Sequence, residues 1–155
     1  MTTYAIAEFS PQYVFERSTL TRALDHMSQL LNVPITRPAD LFTLAQQGIS
    51  TNAFVAFSKA GYTRSELEWI IPARTFSHRQ QKDGVLTLEE SDKLLRAAKI
   101  QALSIEVLGD ATKALAWMHK TRGVFNGQSA MELIKTEHGA HLIEEALIQL
   151  DEGYF

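Results

Sequence analysis

The clearest periodicity in the chain begins at Thr19, where Leu20, Ala23, Leu24, Met27 and Leu31 recur at spacings of three and four. That spacing lays one apolar stripe along a helix, and Asn32 is placed to end it. Residues 1–18 follow no single period. Tyr4, Ile6, Phe9, Tyr13, Val14 and Phe15 give them much apolar surface, which reads equally as a short strand or as a loop packed on the body or on a second copy. Two prolines make residues 33–38 a connector. A short helix is expected over 39–47, with Pro38 near its first turn and Gly48 as its stop. Ser50 or Thr51 then caps a helix carrying Ala53, Phe54, Phe57 and Ala60, closed by Gly61. Thr63 and Glu66 form a capping box for another short helix, with Leu67 and Ile70 inward. Pro72 breaks that helix and suits the first turn of the next, residues 73–81.

Asp83-Gly84 marks a turn, after which Thr87 and Glu90 box the start of a long helix. Leu95, Ala98, Ala102, Ile105 and Leu108 line one of its faces, and Ile100, Leu103 and Val107 a neighbouring one. A helix apolar over so wide an arc is covered on more than one side, so it is expected to be the central strut. Gly109 ends it. Asp110 caps a further helix with Ala111, Ala114, Leu115 and Met118 inward, and Asn126-Gly127 turns into a closing module. There Ser129 and Glu132 have capping-box spacing, and Thr136 with Glu137 opens a last helix whose apolar face is Ala140, Ile143, Leu147 and Leu150. Apart from the N-terminal stretch nothing reads as strand. The predicted class is all-α.

Composition narrows the function. With 155 residues, 45% of them hydrophobic and 21% charged, the chain is long enough for a real core and ordinary for a globular protein. The absence of cysteine excludes disulfides and thiolate metal sites. No apolar run approaches the roughly 20 residues of a spanning helix, and the start of the chain lacks a basic leader, so a cytoplasmic protein is expected. The eight glycines are scattered as helix stops and turns and build no phosphate loop. No serine or threonine sits in a nucleophile motif. His138, His141 and Glu145 have helical spacing that would suit zinc, but no further ligand is identifiable. The expectation is a protein that is not an enzyme and holds no metal or cofactor.

Local charge carries more than the net value of −3. Residues 72–82 contain Arg74, Arg79 and Lys82 and no acid, a sign reversal of the kind DNA requires. Two short helices joined by a tight corner, after a third, have the outline of a helix-turn-helix. Arg74, Thr75, Ser77, His78, Arg79 and Lys82 are its candidate DNA-binding residues, Arg and Gln reading base edges and Thr, Ser and Lys gripping phosphates. By pattern alone the segment reads as well as a solvated polar helix anchored by Phe76. The closing helix is the opposite case. From Thr136 to the end there are five acids, Glu137, Glu144, Glu145, Asp151 and Glu152, no Lys or Arg, and an aromatic tip of Tyr154 and Phe155.

These parts together resemble a known family. Ile71-Pro72-Ala73-Arg74-Thr75-Phe76-Ser77-His78-Arg79 comes first, then Leu86-Thr87-Leu88-Glu89-Glu90-Ser91-Asp92-Lys93-Leu94-Leu95. Phe125-Asn126-Gly127-Gln128-Ser129-Ala130-Met131-Glu132-Leu133-Ile134 and Thr136-Glu137-His138-Gly139-Ala140 follow. Their order and spacing are similar to those of the Xre/MbcA/ParS antitoxins, partners of RES-domain toxins, from about Leu41 onward. Ala130 departs from the family pattern, where proline often opens the penultimate helix.

The resemblance implies a helix-turn-helix, Xre-like N-terminal region followed by a helical C-terminal toxin-binding domain. The chain then divides into an N-terminal extension (1–38), a DNA-binding region (39–85) and a toxin-binding domain (86–155), and the aromatic N-terminus and the wide apolar arc of residues 88–108 are both candidate dimer surfaces. The resemblance implies an antitoxin that blocks the NAD site of a NAD-degrading RES toxin and, by binding operator DNA, represses its own operon, as a homodimer and in a larger hetero-oligomer with toxin. Phe125, Gly127, Glu132, Thr136, Glu137, Glu144, Asp151, Glu152, Tyr154 and Phe155 are the expected toxin-binding residues. The alternative is a stand-alone transcription regulator of the same family without a toxin.

Overall fold

A computed structural model describes residues 11–153. Its helices are α1 (Pro11–Leu31), α2 (Pro38–Gln47), α3 (Thr51–Ser58), α4 (Ala73–Gln81), α5 (Leu88–Leu108), α6 (Ala111–His119), α7 (Ala130–Leu133) and α8 (Glu137–Asp151). The class is all-α. Two departures from the sequence reading stand out. Helix α1 starts at Pro11, so residues 11–18 are helical backbone, neither strand nor loop. Proline is favoured in a first turn, and the clustered aromatics after it hide the helical period. The role expected of residues 1–10 lies outside the described residues. Between α6 and α7 there is also a small antiparallel hairpin, β1 (Thr121–Arg122) with β2 (Gln128–Ser129), which pairs Thr121 with Ser129 and Arg122 with Gln128. Strands of two residues leave no alternation to detect.

Helix boundaries follow local chemistry. Asn32 takes a left-handed φ of 53° and ends α1. At the start of α2 the Asp40 carboxylate accepts from the Thr36 and Arg37 N–H groups, each at 3.0 Å. Ser50 caps α3 by accepting from Asn52 N–H at 3.1 Å. Thr87 and Glu90 form the full reciprocal box at α5, at 3.2 and 2.8 Å. Gly109 closes α5 in the left-handed region, and Asp110 caps α6 from 2.9 Å. Each such cap is worth about 1 kcal/mol to its helix. The Thr63–Glu66 box also forms, yet it opens only a 3-10 turn, Ser65–Leu67, and no α-helix, because Pro72 stops the chain too soon.

Helix α5 is the strut. It packs against α1, α2, α6 and α8, and buries Leu94, Leu95, Ala97, Ala98, Ile100 and Ala102 among them. Its apolar arc is therefore interior, which removes most of it as a surface for pairing two copies. One continuous core runs from Ala23 on α1 through Phe54 and Phe57 to Ile143 and Leu147 on α8. Burying each large side chain there contributes about 1.5–3 kcal/mol. Ala111, expected inward, is exposed at the first turn of α6, whose buried residues are Ala114 and Met118.

Candidate functional site

Two surfaces carry the residues of interest. The first is α4. Phe76 drives its inner side into the core, meeting the Phe54 ring at 4.6 Å between centroids. The Arg64 guanidinium lies over both rings, 5.1 Å from Phe54 and 5.6 Å from Phe76, and donates to the Ile71 carbonyl. Cation and rings thus fix the corner that aims the helix. Pro72 supplies no N–H, and the Ala73 N–H donates to the Glu68 carboxylate at 3.2 Å. On the outer side Arg74, Thr75, His78, Arg79 and Lys82 surround one shallow depression of about 490 Å³. Ser77 is exposed but lies outside that group.

Arg79 differs from its neighbours. Its guanidinium pairs with Glu90, the capping-box acid of α5, and both side chains are largely buried. Burial pushes the Glu90 carboxyl up, but hydrogen bonds from Thr87 and Arg79 outweigh it and hold the group below its ordinary value. Gly84 completes the joint. A Cβ there would stand 2.8 Å from Arg79 Cγ, and the Gly84 N–H donates to the Arg79 carbonyl at 3.0 Å. Arg79 therefore ties α4 to the strut, a contact across 11 residues that local spacing does not reveal.

The second face is the closing module. Ser129 accepts from Glu132 N–H at 3.3 Å to start α7, and Thr136 accepts from Gly139 N–H at 3.0 Å to start α8. Glu132, Glu137, Asp151 and Glu152 are exposed. Glu144 pairs with Lys99 on α5 at 2.9 Å. Phe125 is buried, edge-on to Trp117, and supports the hairpin from beneath. Gly127 holds φ +79° in the hairpin turn beside Asn126 at 54°. Tyr154 and Phe155 lie outside the described residues. His141 meets Glu145 at 3.6 Å on the surface. Among the described residues no cluster of three His, Asp or Glu side chains is arranged to hold a metal ion.

One cluster escaped the sequence reading because its halves lie 53 residues apart. His119 at the end of α6 bonds Glu66 of the corner through Nε2, donates from Nδ1–H to the Leu115 carbonyl at 2.8 Å, and stacks on Tyr62. Nearby, Arg96 lies over the Trp69 ring at 5.9 Å and donates to the Ile134 and Lys135 carbonyls. The corner before α4 is thereby tied to α6 and, through Arg96 of α5, to the α7–α8 turn.

Residues 104–153, from the second half of α5 to the end of α8, match the family model for the C-terminal toxin-binding domain of the Xre/MbcA/ParS antitoxins. That defines the class as antitoxin. Among curated proteins the chain is 35% identical over 130 residues to antitoxin Xre of Pseudomonas putida, covering 83% of this chain and 82% of that one. It is 30% identical over 86 residues to antitoxin Xre of Yersinia enterocolitica, covering 55% of this chain and 58% of that one. The chain belongs to the Xre/MbcA/ParS family of antitoxins and is not an enzyme. Among the described residues no helix is long and apolar enough to cross a membrane.

Proposed function

We propose that the chain neutralises a cognate RES-domain, NAD-degrading toxin with its C-terminal region and binds operator DNA through α4 to autoregulate its operon. The observation that carries the first half is the charge of α8. Residues 136–155 hold five acids and no Lys or Arg, and all five acids fall within residues 104–153, the segment that matches the toxin-binding domain. A pocket that binds NAD needs cations for the pyrophosphate and a flat apolar slot for a ring. The acids complement the first and the aromatic tip of Tyr154 and Phe155 fits the second. Thr136 and Gly127 set the backbone, Phe125 supports it, and Glu132, Glu137, Glu144, Asp151 and Glu152 supply the charge.

For DNA, the exposed and acid-free outer face of α4 supports the reading, with Arg74, Thr75 and His78 towards the bases or phosphates and Lys82 on phosphate. A single short helix reads few base pairs, so a homodimer on a two-fold operator follows. In this reading residues 39–85 are the DNA-binding unit and 86–155 the toxin-binding one. Co-expression with the product of the adjacent gene, pull-down, and measurement of cellular NAD tests the function. Co-purification and preserved NAD support it. An operator-binding chain with no toxin to bind would instead be the stand-alone regulator. Removing residues 153–155 tests the aromatic plug, since full inhibition by the shortened chain would exclude it.

A further inference from the structure

An open groove of about 880 Å³ runs between α2 and α8 with α5 as its floor. Phe42 on α2 and Leu88 in the first turn of α5 stand on its edge, 69% and 55% exposed, although both are large apolar side chains that water disfavours. Leu95 and Ala140 make the floor apolar. Four carboxylates line it, Glu89, Asp92, Glu137 and Glu144, against two permanent cations, Arg96 and Lys99. Both cations are already engaged, Arg96 with Asp92 at 3.7 Å and Lys99 with Glu144 at 2.9 Å. Glu89 is paired as well, with Lys93 of α5 at 3.1 Å, so Glu137 is the lining carboxylate with no ion pair among the described residues and the groove keeps an excess of one acid.

We infer that this groove is a second arm of the toxin interface, taking a cationic segment of the toxin that inserts an apolar side chain between Phe42 and Leu88. The inference rests on the toxin-neutralising function proposed above. Two features select this occupant. One wall is α8, which belongs to the segment matching the toxin-binding domain, so the groove continues that surface without a break. Glu137 also opposes a second copy, because setting the groove against itself would bring this acid near its own equivalent. The interface therefore reaches beyond residues 104–153 to α2 and the first turns of α5.

The test is the affinity of the full chain for the co-expressed RES-domain toxin, with the solution mass of the free chain measured in parallel. Phe42→Ala/Leu88→Ala removes exposed side chains only, so the fold persists, which a thermal melt checks. Toxin affinity falls roughly tenfold or more. Glu89→Gln/Asp92→Asn slows association and flattens its salt dependence. Unchanged toxin affinity in both variants overturns the inference. A fall in the mass of the free chain with toxin affinity intact also overturns it, in favour of self-association. Because toxin affinity in the double-alanine variant is compared with that of Asp151→Asn/Glu152→Gln, two acids of α8 outside the groove, the two failures separate. Loss only in the latter leaves the function standing and removes the groove, whereas a wild-type chain that binds no toxin removes both.

Discussion

Gly139 has no conformational need to be glycine, since it sits in a right-handed helix, yet a Cβ there would fall 1.9 Å from the Leu133 carbonyl oxygen. The close approach is what lets α8 fold straight back after α7, with the Gly139 N–H bonded to Thr136 Oγ1. Gly139→Ala is therefore expected to cost about 3 kcal/mol or more, against a gain of up to about 1 kcal/mol for the same change in an open helix. Urea unfolding measures it, and a stability equal to the parent would remove this account of the turn. Single residues such as caps were legible in the sequence because a cap and its target lie within one turn. Thr87 with Glu90, Asp110 and Thr136 are examples. The need for Gly139 was not, because the atom that forbids a side chain there becomes a neighbour only after two helices have folded together.

Among the elements, α4 depends on a partner that its own sequence does not announce. Its polar face and its single anchor Phe76 were readable, but Arg79 appeared only as one more cation on that face. In the folded chain Arg79 and Glu90 join α4 to the start of α5. Glu90→Gln leaves the outward residues of α4 untouched while weakening the joint and the α5 cap. A loss of about 1–2 kcal/mol in stability is expected, together with weaker operator binding through misalignment of the helix. Glu90 is held below its usual value, so the stability it lends is present above about pH 4.5 and lost as pH falls through the depressed pKa. Lys82→Ala separates phosphate contact from alignment, because it weakens all DNA alike and lowers the salt slope with stability unchanged. Equal operator affinity in Glu90→Gln and the parent would free α4 from this joint. The element that periodicity missed, the hairpin of β1 and β2, is made by left-handed Asn126 and Gly127, a turn that was legible where its two-residue strands were not.

Across the whole molecule, the corner before α4 and the closing module are held by His119 on Glu66 and by Arg96 between Trp69 and the α7–α8 turn. Burial pushes the His119 pKa down, but the Leu115 carbonyl and Glu66 outweigh it, and the group sits above its ordinary 6.5. Its contribution is thus complete below pH 6.5 and is lost as pH rises through the elevated value. Glu66 is depressed by the Thr63 N–H and His119 against its own burial, and its contribution is lost as pH falls through the depressed value. The pair is fully formed in mildly acidic solution. Stability of the parent should decline from pH 6 to pH 8 more steeply than that of His119→Gln, and parallel profiles would contradict the assignment. Such contacts are beyond local reading, whereas the order of helices and the identity of the strut were within it.

The most direct measurement of the proposed neutralisation of a RES-domain toxin is NAD consumption by that toxin, titrated with the intact chain and with Glu137→Gln/Asp151→Asn/Glu152→Gln. These three acids are exposed at the two ends of α8, so their neutral forms keep the fold. The intact chain is expected to abolish consumption near stoichiometric ratio, and the neutralised variant to need roughly tenfold more protein or worse. Equal inhibition by both chains would show that the acidic surface of α8 is not what silences the toxin.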